Sequence, residues 1–385
     1  LGLLGAMKER GGRPRAETPR PSPSTSMDRS TILRWLRERD PERLEALYAE
    51  ADAVRRAHVG DAVHLRGLVE ISSYCRRKCT YCGIRAGNFS VERFRLTAAE
   101  VVACAKQVAA FGCGTVVLQG GEDPAFDVES CAEIIRQIKA ETPLAVTLSL
   151  GELAPADLER LRAAGAERYL LRFETSNAAL YARLHPPHQP GEPTRRELLH
   201  RLRELGFEVG SGVMVGLPGT TFEDLANDLL AFRALDLDMI GIGPYIPHPQ
   251  TPLGRHGVRT TADQVPNDVV TSCKAMALTR LLCPRSSIPA TTALATLSPG
   301  GRMQGLRAGA NVWMPNFTPP RFRASYEIYP GKASPRHDEI AHEFVLETIA
   351  LMGRHVGRGP GPSPNYVART SPVPTEAPCS PSAPA

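Results

Sequence analysis

Cysteine is scarce in this chain, 9 among 385 residues, and no apolar run approaches the length of a membrane span. So thin and uneven a supply of thiols excludes the disulfide framework of a small secreted scaffold. It also makes any local cluster of cysteines a candidate for metal ligation or reactivity. A strong charge of one sign is missing too. The formal excess is +5, and most of it sits in residues 1–26, where Lys8, Arg10, Arg13, Arg15 and Arg20 face only Glu9 and Glu17. The near-neutral remainder gives no argument for a nucleic-acid groove or a membrane partner. The expectation is a soluble cytoplasmic protein, or an organellar one if the acid-poor arm is a transit peptide rather than an upstream extension before Met27.

The two ends read as disordered. Residues 1–26 are rich in Arg, Pro and Ser, and residues 357–385 form a Pro-rich tail without enough apolar surface to fold. Residues 28–60 carry Leu33, Leu36, Leu44, Leu47 and Tyr48 at helical spacing, which predicts an N-terminal helical cap. From residue 61 to 356, β-rich runs alternate with amphipathic helices. Strands are expected at 64–71, 115–120, 145–150, 169–174, 208–216, 239–244, 288–292 and 311–315. Thr97 with Glu100, and Thr221 with Glu223 and Asp224, read as helix starts. Eight such units without a topological reversal predict an α/β fold, a complete (βα)8 TIM-type barrel.

The strongest local signal is Cys75-Arg-Arg-Lys-Cys79-Thr-Tyr-Cys82, just past the first expected strand. Three thiolates on one loop suit three corners of an iron–sulfur cubane. Structural zinc wants a fourth Cys or His. No His lies between His64 and His185, and Cys104 falls inside an expected helix. Gly120-Gly121-Glu122 ends the second strand, where missing Cβ atoms let the backbone approach a ligand. Arg172 and Glu174 end the fourth strand on one face, where barrel ligands collect, although a plain buried ion pair has the same pattern.

C-x3-C-x2-C at the end of a first barrel strand resembles the radical S-adenosylmethionine (SAM) superfamily, in which three Cys hold a [4Fe–4S] cluster whose fourth iron binds SAM. Longer segments are similar to the HydE family of [FeFe]-hydrogenase maturases, within the biotin synthase-like group. They include Val117–Pro124, Val146–Glu152, Tyr169–Thr175, Gly241–Pro249, Ile288–Ala293, Ala310–Asn316 and Tyr329–Lys332. This resemblance implies cluster ligands Cys75, Cys79 and Cys82. It implies SAM contacts from Tyr81, Gly120, Gly121, Glu122, Arg172, Glu174, Arg195, Met239 and Ile246, with Arg196 as the neighbour that a one-residue shift would substitute for Arg195. Gln119, Thr147, Thr291, Thr292 and Tyr329 are implied to line a catalytic cavity. The implied reaction is reductive cleavage of SAM to a 5′-deoxyadenosyl radical that attacks the sulfur of a cysteine-bound iron carbonyl cyanide substrate. Implied partners are a ferredoxin- or flavodoxin-type electron donor and other hydrogenase maturases.

Two departures from the family are visible. Some members bind a second cluster through cysteines after Pro-Gly-Lys, but no Cys lies between Cys283 and Cys379, so one cluster is expected. Phe173 stands where relatives can carry His. Cys104, Cys113, Cys131, Cys273 and Cys283 read as small buried residues, which argues against biotin synthase. A carbon-skeleton mutase of the 3-methylornithine synthase type and a non-catalytic iron–sulfur scaffold are the competing readings.

Overall fold

The computed structural model describes residues 27–187, 193–256, 262–332 and 342–371. The arm 1–26, the segment after Lys332 that bears on a second cluster, and Cys379 lie outside them.

Parallel strands dominate, and their apolar content explains why. The first strand, β1 (Ala62–Ser72), is buried along almost its whole length, as a strand covered on both faces must be. It is followed by β2 (Thr115–Gly120), β3 (Ala145–Ser149), β4 (Arg168–Leu170), β5 (Glu208–Val215), β6 (Met239–Pro244), β7 (Val312–Trp313) and β8 (His355–Val356). The sheet runs in the order β6-β5-β4-β3-β2-β1-β7, with β8 paired to the start of β1. Every pairing is parallel. The sheet is thus a curled parallel α/β array with helices outside.

Helix starts carry the chemistry expected of them. Thr97 and Thr221 form reciprocal capping boxes with Glu100 and Asp224, and Thr194 does the same with Glu197. The N-terminal helices Arg29–Arg37 and Pro41–Val59 pack against the outer helices Phe222–Ala234 and Val269–Leu282. Cys104, Cys131 and Cys273 are buried in outer helices, and Cys113 and Cys283 are buried beside helix ends.

Three expectations are corrected. Residues 288–292 form no strand. Ser287 and Pro289 make only isolated parallel bridges, to Met239 and Val312 respectively, because Pro289 has no N–H to extend a ladder. The run 169–174 is a strand only to Leu170. There the Ser211 hydroxyl enters the ladder, accepting from Phe173 N and donating to Leu171 O, and Glu174 then turns with φ 63°.

The third correction concerns the tail, of which residues 357–371 have defined structure, with Gly357, Gly361 and Ser363 buried. Helix Pro364–Thr370 begins with Pro at its first turn and a Ser363 cap. The preceding carbonyls accept from arginines inside the barrel: Arg168 reaches Pro360 O at 2.9 Å and Arg66 reaches Gly361 O at 3.2 Å. Arg168 also pairs with buried Glu208, whose other oxygen accepts from Ser363 N. The composition argument failed because these residues fold by satisfying buried charges rather than by covering apolar surface.

Candidate active site

Alternation along parallel strands puts one set of residues inside. Inward positions of β5 and β6 include Gly210, Gly212, Gly241 and Gly243, so these two walls contribute little side-chain volume over those positions. A barrel interior is ordinarily filled by branched side chains. Here their absence leaves a cavity of about 330 Å³ at the C-terminal strand ends, large enough for small organic ligands.

Into this cavity face Cys75, Cys79, Cys82, Tyr81, Gln119, Gly120, Gly121, Glu122, Arg172, Glu174, Arg195, Ile246, Thr291, Thr292 and Tyr329. Two sequence-derived residues do not line it. Met239 starts β6 near the opposite end, where its sulfur accepts from Arg66 at 2.9 Å. It faces inward but too deep, and Met214, late in β5, and Met314 are the methionines on the cavity wall. Thr147 is buried on β3 below Ser149, with an Oγ1 that has no hydrogen-bond partner. The choice between Arg195 and its neighbour is clear in space: Arg195 faces the cavity, whereas Arg196 lines an external groove.

The cysteine loop is held by backbone fit. A Cβ on Gly121 would sit 2.8 Å from the Cys75 Cβ and closer still to the Tyr74 carbonyl oxygen. Cys75 and Cys79 have their thiol pKa values raised by burial, Cys79 to about 12. Burial raises Cys82 further, with Cys79 and Cys75 adding to it. Thiols in this state stay protonated at neutral pH until a strong thiophile such as iron binds the sulfur and displaces the proton to solvent. Among the described residues, no three His, Cys, Asp or Glu side chains converge on a single ion. Three cysteines of one loop facing one cavity match three corners of a cubane, which offers each thiolate its own iron. The donor set therefore fits a cluster with one corner left to another ligand.

Polar groups surround the rim. Arg172 Nε lies 3.2 Å from Glu174 Oε2, and Arg172 also donates to Val213 O at 2.7 Å. Burial pushes the Tyr329 hydroxyl up to about 12, so it is a hydrogen-bonding phenol at neutral pH. Lys332 and Glu70 form a buried ion pair at the opposite wall. Sequence reasoning gave no role to Arg77, Glu152 or His185, which form a buried network behind the cluster loop. Arg77 bridges Glu122 and Glu152. Burial alone would raise the Glu152 carboxyl, but its contacts with His185, Arg195 and Arg77 outweigh it and hold the group at about 2.

The model of the radical SAM superfamily matches residues 69–231. The [FeFe] hydrogenase maturase subunit HydE of Thermotoga maritima is 46% identical over 82% of this chain and 87% of its own. A 3-methylornithine synthase of Methanosarcina acetivorans is 28% identical over 70% of this chain and 74% of its own. The crystal structure of methylornithine synthase (PylB) superposes with a TM-score of 0.74 and 26% identity, covering 86% of this chain and 94% of that one. With its cysteine loop at the mouth of a parallel α/β array and this degree of identity to HydE, the chain belongs to the radical SAM superfamily and, within it, to the HydE family of hydrogenase maturases.

Proposed function

We propose that this chain is a single-cluster radical SAM enzyme that processes an organometallic precursor for the [FeFe]-hydrogenase active site. The observation that carries the reading is one cavity faced by the three loop cysteines, the Gly120-Gly121 turn, Glu174 and Arg195 together. Cys75, Cys79 and Cys82 would hold the [4Fe–4S] cluster. The backbone at Gly120 and Gly121, with Glu122, Glu174, Arg172 and Arg195, would hold the amino and carboxylate groups of SAM. Tyr81 and Ile246 would flank its adenosine. When bound and reduced, this pair supplies a 5′-deoxyadenosyl radical.

The substrate is a cysteine-bound iron carbonyl cyanide species whose sulfur is the point of attack. Gln119, Thr291, Thr292 and Tyr329 offer it hydrogen bonds, with Thr147 beneath them, and its anionic groups need such donors once buried. Ser287 and Pro289 would close the strand ring between β6 and β7, separating the reaction from water. A ferredoxin- or flavodoxin-type donor and the other hydrogenase maturases are the expected partners, in the cytoplasm. Among the described residues no helix is long and apolar enough to cross a membrane.

The test is electron paramagnetic resonance of anaerobically reconstituted, dithionite-reduced protein, with and without SAM, beside Cys79→Ser. A [4Fe–4S]⁺ signal that moves on adding SAM and disappears in the variant is expected. A cluster indifferent to SAM would refute the reading. Product analysis with the synthetic iron–cysteine precursor then tests the substrate.

A further inference from the structure

Behind the cysteine loop, His185 spans two sides of the site. It is the C-cap of helix Ala178–Leu184, and its ring is 3% exposed. Its Nδ1 lies 2.8 Å from Cys79 Sγ. Its Nε2 lies 2.9 Å from Glu152 Oε1 and 3.1 Å from an Arg195 Nη. Arg195 is itself fixed, donating to Glu152 at 2.7 Å and to Arg172 O at 2.5 Å. The cysteine loop is also tied to this helix end by backbone, Thr80 N donating to Leu184 O at 2.9 Å. The ring is therefore held at three points and aimed at one sulfur.

We propose that His185 is a positioning residue that donates Nδ1–H to the Cys79 sulfur and raises the reduction potential of the cluster. This rests on the reading that Cys75, Cys79 and Cys82 ligate a [4Fe–4S] cluster. A ligating cysteine has lost its hydrogen and can only accept. A ring nitrogen at 2.8 Å from it must then carry the hydrogen, and Nε2 of the neutral ring accepts from Arg195, which also donates to the Glu152 carboxylate beside it. Tyr81 also bonds to Cys79 through its side chain, so this sulfur has two side-chain donors. Hydrogen bonds to cluster sulfurs favour the reduced, more negative state and so raise the potential. Arg195 is proposed above as a SAM contact, so one side chain separates the His185 ring from the cosubstrate. Binding of SAM at Arg195 would thereby be felt at the cluster through a defined hydrogen-bond path.

The test is a potentiometric titration of the reconstituted full chain, monitored by electron paramagnetic resonance without SAM, for wild type, His185→Phe, His185→Gln and His185→Asn. Phenylalanine has no donor, glutamine carries its amide to the Nε2 position, and asparagine keeps an N–H near Nδ1. The Phe and Gln variants are expected to be harder to reduce, with the reduction equilibrium lowered about tenfold, or about 59 mV for one electron. The Asn variant is expected to stay close to wild type. Unchanged midpoints in Phe and Gln, or an Asn shift as large as theirs, would overturn the proposal. Loss of the cluster in all three variants would overturn it too, because that marks a structural role. If Phe alone loses the cluster, the comparison of Gln with Asn decides. Absence of a cluster signal in wild type would instead defeat the functional reading on which the proposal rests.

Discussion

Adjacent glycines at the end of β2 should respond oppositely to alanine. At Gly120 a Cβ finds its nearest neighbours at 3.5 Å, the side chains of Ile71 and Leu150, which is ordinary contact. At Gly121 it meets the Cys75 Cβ at 2.8 Å, and reaching an ordinary 3.4 Å requires that residue to move by about 0.6 Å, with a larger movement for the Tyr74 carbonyl. Neither neighbour is the flexible end of a side chain, so the displacement falls on the first cluster ligand. Overpacking of this kind costs about 1–3 kcal/mol, and displacing a reacting group by about 1 Å can cost on the order of 100-fold in rate. We expect Gly121→Ala to lose most of its reconstituted iron and sulfide, and Gly120→Ala to keep its cluster. Iron and sulfide analysis with the visible absorption of the cluster reads this directly. Full cluster content in Gly121→Ala beside a depleted Gly120→Ala would refute the steric argument.

Three further outcomes are expected. Arg168→Met should destabilise the fold by about 3–5 kcal/mol in chemical denaturation, because it leaves Glu208 buried without its cation; a change under about 1 kcal/mol would contradict the packing of the lower barrel. Asp228 is buried with its pKa pushed up to about 7, chiefly by desolvation, from the ordinary 3.8 of an aspartate. The native state therefore holds a proton that the unfolded chain has lost, and stability falls as pH rises between those values. Asp228→Asn should remove that slope, so its denaturation midpoint should gain on wild type from pH 5 to pH 8; a pH-independent gap would refute this. Finally, reconstituted protein should carry about four irons per chain, as one cubane requires, and a content near eight would restore the second cluster.

Much of the site was legible because its parts lie close in sequence or on simple periods. The cysteine loop and the Gly120-Gly121 turn are contiguous, and the inward alternation of Arg172 and Glu174 survives even though Ser211 disrupts the strand between them. Depth was not legible. A period of two assigns Met239 to the interior but cannot say that Arg66 holds it near the far end of the barrel. Glu152 and His185 were missed because they are 33 residues apart and meet only after β4 has folded between them. The tail was misread because composition reports apolar burial, whereas the carbonyls of Pro360 and Gly361 are ordered by guanidinium groups.

The pairing of β8 with the start of β1 sets an order of events during synthesis. Ala62 and Val63 find their partners only at His355 and Val356, and the Arg168 and Arg66 side chains wait until residues 360 and 361 have been made. A growing chain therefore carries two guanidinium groups short of their last acceptors and an open strand edge through most of its translation. Contacts this distant in sequence form late and leave intermediates prone to association. Expression with a slowed or chaperone-assisted final stage should raise the yield of folded protein, and tags placed after residue 371 should be safer than any truncation before residue 364.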